Sequence, residues 1–218
     1  MKILLIHNKY GKFSGEEAVV ESQIKLLNAN GHHVITYFRS SEELEAMPNG
    51  KLKAFFNAFY NPKSISAIKA LITTEKPDLV HIHNLYPLIS PTILPVIKKM
   101  GIPIVMTVHN YRLLCPNGLF FNKGEICEKC TGALKELNCI TNNCERSLFK
   151  SSGYAARNFW ARKKDYYLNN VDLFLCLTEF QKKKLVTNGF NKEKCDVLPN
   201  FYNKEINDLD YHISDNKN

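Results

Sequence analysis

Three histidines recur in one setting, each at the end of a short apolar run and each followed by asparagine: Ile6-His7-Asn8, Ile82-His83-Asn84 and Val108-His109-Asn110. An imidazole near its ordinary pKa can give or take a proton at neutral pH, so these positions are the first candidates for chemistry. A single histidine at a strand end is ordinarily a satisfied core or loop residue. Three along one sheet edge argue instead for a polar cleft. In open α/β sheets, ligands bind outside the carboxyl ends of the strands. That rule selects the loops His7–Gly15, His83–Ser90, His109–Arg112 and Thr178–Glu179. Gly15 stands where a strand-to-helix loop meets a helix N-terminus, a place whose free N–H groups favour a phosphate. Glu16 and Glu17 follow it and would repel a phosphate brought close, so plain helix capping is the competing reading.

The second candidate is a cysteine cluster. Five of the seven cysteines lie between Cys115 and Cys144, including the pair Cys127-Glu128-Lys129-Cys130. A CxxC flanked by separated thiols matches a tetrahedral structural zinc site, with Cys115, Cys127, Cys130 and Cys144 as the expected ligands. Cys139 is the alternative fourth ligand, and a metal-free cluster remains open. A thioredoxin-like role would need the CxxC at a strand-to-helix junction, which this stretch does not offer. Cys176 and Cys195 fall in predicted strands and read as structural.

These side chains need a scaffold, and the hydrophobic pattern supplies one. Lys2–His7, His33–Tyr37, Leu79–His83, Pro103–Val108, Leu173–Leu177 and Cys195–Leu198 read as strands. Between them, Glu16–Asn28, a segment from Ser90-Pro91 to Gly101, and Glu179–Asn188 carry helical spacing. Strands alternating with helices predict an α/β, Rossmann-like doubly wound parallel sheet. Residues 41–75 look helical, residues 111–146 form a Cys-rich insert without clear period, and one long helix is expected from Ser147 to Asn170. The polar stretch 203–218 reads as a linker leaving a domain that occupies 1–202.

Composition narrows the class. Hydrophobic residues make up 44% and charged residues 23% of 218, the balance of a chain that folds around a core. No apolar run reaches the roughly 18 residues of a membrane span, and the N-terminus lacks a signal-peptide cleavage site, so the cytoplasm is the expected compartment. The net charge of +8 is scattered in short lysine groups with no nucleic-acid signature. Leu52, Phe55, Phe56, Phe59 and Tyr60 form an aromatic stripe beside Lys51, Lys53 and Lys63, and residues 149–164 combine Trp160 with Lys150, Arg157, Arg162, Lys163 and Lys164. Core packing is the plain reading of both segments; peripheral contact with an anionic membrane is the other.

Several motifs resemble the first half of family 4 glycosyltransferases of the GT-B fold. They are Phe13-Ser14-Gly15, Gly31-His32-His33-Val34, the run Pro77-Asp78-Leu79-Val80-His81-Ile82-His83-Asn84, and the stretch Leu85 to Pro91. Thr107 to Gly118, containing HNYRLLCPNG, is similar to a subgroup in which a CxxC and one more Cys before an Arg follow; Cys144-Glu145-Arg146 fits that element. Leu177 to Gln181 and Leu198-Pro199-Asn200 are similar to the close of the family's first domain. The resemblance implies one half of a retaining, hexosyl-transferring enzyme, inactive without a second, donor-binding domain. It implies a nucleotide-sugar donor, a glycan or polyisoprenoid-linked acceptor in cell-surface polysaccharide synthesis, and no catalytic metal. By position, His109 would be the active-site histidine and Gly15 would approach the donor diphosphate, although Glu16 stands where the family has a glycine. His83, Asn84, Asn110 and Arg112 would line the cleft, with Glu179 near its floor. A non-catalytic, zinc-stabilised ligand-binding module is the alternative function.

Overall fold

The computed structural model describes residues 1–10, 14–44, 46, 48, 50–130 and 135–201. The expected linker, 203–218, lies outside the described residues, as does the loop 11–13. Six parallel strands form the main sheet: β1 (Lys2–Lys9), β2 (His33–Ser40), β3 (Leu79–Asn84) and β4 (Ile104–Val108), with β7 (Leu173–Cys176) and β8 (Cys195–Val197). Two short strands in the insert, β5 (Phe121–Asn122) and β6 (Glu125–Ile126), make a separate antiparallel hairpin. The spatial order is β2-β1-β3-β4-β7-β8. Chain progression therefore reverses between β1 and β3, and that is where an open sheet leaves a crevice above its carboxyl edge.

The helices are α1 (Gly15–Ala29), α2 (Gly50–Phe59), α3 (Pro62–Glu75), α4 (Ile93–Lys99), α5 (Leu137–Thr141), α6 (Leu148–Lys163), α7 (Tyr166–Asn170) and α8 (Glu179–Thr187). The core is the sheet's inner residues, such as Leu4, Ile6, Val80, Ile82 and Phe174, packed against Ile68, Ile72, Leu94 and Ile97 of the helices. Strands β1 and β3 are buried on both faces, which is why β1 runs apolar from Ile3 to Ile6 without alternation, while β3 alternates Val80 and Ile82 with the buried His81 and His83.

Local chemistry sets the boundaries. Ser14, Asn61, Ser147 and Thr178 cap α1, α3, α6 and α8, each side chain accepting a backbone N–H of the first turn. The helical stretch expected over 41–75 is three pieces, because Asn61 and Pro62 begin a new helix where α2 ends. The single helix expected over 147–170 is two: Asp165 adopts φ +48° between α6 and α7. At the amino edge of the sheet, Asp78 accepts the Lys2 N–H at 2.7 Å. Asp172 likewise accepts the Ile104 N–H at 2.9 Å and pairs with Lys98. The carboxyl edge is thereby left as the open, functional side.

Candidate functional site

The switch point between β1 and β3 is where the strand-end histidines gather. His7 lies in the buried part of β1 one residue before its end, His81 and His83 lie on β3, and His109 follows β4. The His83 Nδ1 and His109 Nε2 atoms are 2.8 Å apart, so one ring donates to the other. Their rings stack at 5.1 Å, His81 stacks on His83 at 4.5 Å, and His7 meets His83 edge-on at 6.2 Å. His81 is anchored by a 2.8 Å hydrogen bond between Nε2 and the Thr107 hydroxyl. Burial lowers the pKa of His7, His81 and His109 to about 4, and that of His83 well below its ordinary value. At neutral pH the cluster is four uncharged imidazoles, able to bond hydroxyl groups but not to act as a fixed positive charge.

A cleft of about 340 Å³ above this edge is lined by His83, Asn84, His109, Asn110 and Arg112. Five of the eight positions expected to face ligand therefore come together. Asn84 also holds the loop: its amide donates to the Asn8 and Tyr86 carbonyls at 2.9 and 3.2 Å, and its Oδ1 accepts from the Tyr86 N–H at 3.1 Å. Asn110 Oδ1 accepts the Arg112 N–H at 3.0 Å and turns the chain so that the guanidinium returns over the cleft. Arg112 reaches the Tyr10 hydroxyl at 3.3 Å and also lines a neighbouring pocket of about 520 Å³ with Tyr86, Asn158 and Tyr167.

Gly15 begins α1, and a Cβ built there would meet nothing within 4 Å. The backbone does not require glycine, and among the described residues nothing fills the space above it. Glu16 turns inward, its Oε2 accepting from the Tyr10 hydroxyl at 3.2 Å and its Oε1 lying 3.7 Å from His7 Nδ1. Burial raises its pKa to about 7, so the carboxyl is about half protonated at neutrality. It faces the imidazoles rather than standing as a charged cap. Glu17 does the structural work, accepting the Tyr10 N–H at 2.9 Å. Glu179 is exposed in the first turn of α8, at the carboxyl end of β7, and no described hydrogen bond joins it to the histidines.

Among the described residues, both nitrogens of His7, His83 Nε2, Glu16 Oε1 and Arg112 Nε are buried without a hydrogen-bond partner. Each such group costs about 1–3 kcal/mol when left unpaired. These atoms converge at the switch point between β1 and β3.

Two contributors escaped the motif reading. Tyr10 joins Glu16, Glu17 and Arg112, and no pattern in the sequence marks it. Arg157 belongs to the basic run on α6 yet is buried, its guanidinium stacked over Tyr86 at 4.1 Å and Tyr154 at 4.4 Å. It donates to the Pro116 carbonyl at 3.0 Å, while Asn158 donates to the Arg112 carbonyl at 2.6 Å. Helix α6 thus clamps the segment that carries His109 and Arg112.

The zinc site expected on Cys115, Cys127, Cys130 and Cys144 finds no support in the described geometry. Among the described residues, no group of three or more His, Cys, Asp or Glu side chains is placed to hold a metal ion. Cys115 is hydrogen-bonded to Cys130 and Cys139 to Cys144, and the two pairs lie near enough that Cys139 and Cys144 also act on Cys130, and Cys115 and Cys127 on Cys144. The hydrogen bond from Cys130 lowers the Cys115 thiol to about 6, and the same contact raises Cys130. Cys176 and Cys195 are buried in β7 and β8 as expected.

An open parallel sheet with helices packed on it and a polar crevice at its switch point defines a Rossmann-like α/β domain. The sequence profile of Glycosyltransferase Family 4 matches residues 13–205, and the chain belongs to that family. No curated protein sequence matched the chain. Among solved structures, it is similar to Anabaena Alr3699/HepE in complex with UDP, at 15% identity over 93% of this chain and 45% of that one, TM-score 0.45. The lipopolysaccharide outer core galactosyltransferase WaaB, apo form, gives 16% identity, 91% and 45% coverage, and TM-score 0.48. UDP-N-acetylglucosamine 2-epimerase from Rickettsia bellii gives 14%, 92%, 45% and 0.47. The chain spans slightly under half the length of each.

Proposed function

We propose that the chain is the acceptor-side domain of a retaining glycosyltransferase that moves a sugar from a nucleotide-sugar donor to a glycan or lipid-linked acceptor. The setting is cell-surface polysaccharide synthesis on the cytoplasmic side. The observation that carries this reading is the set of unpartnered buried polar atoms on His7, Glu16, His83 and Arg112, gathered at the sheet's switch point in a chain of this family. Neutral imidazoles, a half-protonated carboxyl and a guanidinium offer both donors and acceptors, as a polyhydroxylated ligand requires. His109, held by His83, is the residue that meets the transferred sugar and the acceptor hydroxyl. Free N–H groups at the start of α1, beside Gly15, are suited to charge developing on a departing diphosphate. A second domain would supply most donor contacts, so the chain alone is expected to be inert.

The test is nucleotide release by the complete gene product, assayed with a panel of nucleotide sugars and polyisoprenoid-linked acceptors. His109→Ala is expected to lower kcat at least about 100-fold. Full activity in that variant would remove His109 from the mechanism. Absence of release from every donor and acceptor pair would count against sugar transfer itself.

A further inference from the structure

Helix α2 and the start of α6 pack side by side and leave an aromatic surface uncovered. Leu52 is 51% exposed, Phe56 60% and Tyr60 59% on one helix and its end; Leu148 is 64% and Phe149 66% exposed on the other. Between them runs a groove of about 840 Å³, lined by Phe55, Phe59, Pro87, Phe149, Lys150 and Tyr154. Phe55 and Phe149 stack at 6.1 Å across it, and Gly153 lets the helices approach: a Cβ there would stand 3.2 Å from the Phe55 ring. Large apolar side chains this exposed are not completing the core, which is centred on the sheet. A contiguous apolar surface of this kind marks an interaction site.

The surrounding charge says what would cover it. From Ala46 to Thr74 the chain has no Asp or Glu and carries Lys51, Lys53, Lys63 and Lys69. From Arg146 to Lys164 it again has no Asp or Glu and carries Arg146, Lys150, Arg157, Arg162, Lys163 and Lys164. Arg157 is buried and Arg162 pairs with Glu136 at 2.7 Å, so those two do not add to the surface charge. Lys53 and Lys150 are exposed beside the aromatic side chains. Exposed aromatic and leucine side chains flanked by lysines, with carboxylates excluded from both segments, are the composition of a surface that lies on anionic lipid. Among the described residues no helix is long and apolar enough to cross a membrane, so the contact would be in the plane of the interface.

We infer that the α2–α6 groove docks this domain on an anionic bilayer, with the aromatic side chains entering the headgroup region and the lysines meeting lipid phosphates. Pro87 lines the groove and Tyr86, the next residue, lines the cleft, so docking sets the cleft beside the lipid surface. The inference does not depend on the chain's transferring sugar, because it concerns the surface and not the cleft.

Co-sedimentation of the 218-residue chain with vesicles tests it, without substrate. Wild type is expected to sediment with vesicles of phosphatidylglycerol and phosphatidylcholine, to be released by salt, and to stay in solution with phosphatidylcholine alone. Leu52→Asp with Phe56→Asp, both at exposed positions, is expected to weaken partition at least about ten-fold while leaving the circular dichroism spectrum unchanged. Lys53→Glu with Lys150→Glu is expected to do the same. Ile126→Asp, on the β5–β6 hairpin outside the groove, is expected to bind as wild type. The inference is overturned if wild type ignores anionic vesicles, binds neutral ones equally, or is unaffected by both double substitutions. Equal loss in the Ile126 variant would overturn it too.

Discussion

Glu16 is the residue whose behaviour departs furthest from its type. Its carboxyl sits at a helix N-terminus, where a charged form is ordinarily favoured, yet burial against His7 raises its pKa to about 7. The folded state therefore holds a proton that the unfolded chain has lost above about 4.5. The sign follows: this group's contribution to stability is present below pH 4.5 and is lost as pH rises through 7. Glu16→Gln cannot ionise, so the melting temperature of the variant relative to wild type should rise between pH 5 and pH 8. A difference that is flat across that range would show that the carboxyl is not buried as described. The histidines act in the opposite sense. His7, His81 and His109 titrate at about 4 when folded and 6.5 when free, so the stability they contribute is present above pH 6.5 and is lost as pH falls toward 4. Three such imidazoles outweigh one carboxyl. Thermal unfolding followed from pH 7 to pH 4 should show steadily falling stability.

At the scale of elements, two contacts hold the functional edge in place. Asn61 caps α3 by accepting the Ser64 N–H at 3.2 Å, and its amide donates to the Leu88 carbonyl in the loop after β3. Asn61→Ala removes a buried cap and leaves that carbonyl without its amide donor, with an expected loss of about 2 kcal/mol in denaturant unfolding. Arg157 joins α6 to the His109 segment through two tyrosine rings and the Pro116 carbonyl. Arg157→Ala is expected to cost about 3 kcal/mol. It should also shift the amide resonances of residues 112–118 more than those of the distant strand β2. A uniform shift would mean that α6 supports the fold generally and does not position that segment. Elements were also where sequence patterns misled most. Breaks at Asn61-Pro62 and at Asp165 divide what hydrophobic spacing reads as continuous helix, because a period persists across a turn that only capping and dihedral angles reveal.

For the whole molecule, the polar edge and the aromatic groove meet at Tyr86-Pro87, one residue facing each. Acceptor binding and membrane docking are thereby separable by substitution: changes at Leu52 and Phe56 leave the cleft residues untouched. If the complete enzyme acts on a lipid-linked acceptor, those groove variants should raise KM for the acceptor presented in vesicles while leaving nucleotide release with a soluble glycan analogue unchanged. Equal effects on both substrates would mean that the groove communicates with the cleft instead of delivering it to a surface.

The alternation of apolar strands and amphipathic helices, and the three His-Asn strand ends, are local patterns, and they were enough to define the parallel sheet and its functional edge. The motifs spread from Phe13 to Asn200 were together enough for the family. Contact between side chains distant in sequence was not legible. Nothing in the spacing of Cys115, Cys127, Cys130, Cys139 and Cys144 tells which thiols touch, since that depends on where α5 and the hairpin carry each sulfur. The buried state of Arg157 depends on two tyrosines that helix packing brings to it. The inward turn of Glu16 toward Tyr10 and His7, and the burial that shifts its proton, depend on how α1 packs on β1. Composition and period act along the chain, whereas burial, charge neutralisation and ligand-ready convergence exist only after the sheet has closed over its core.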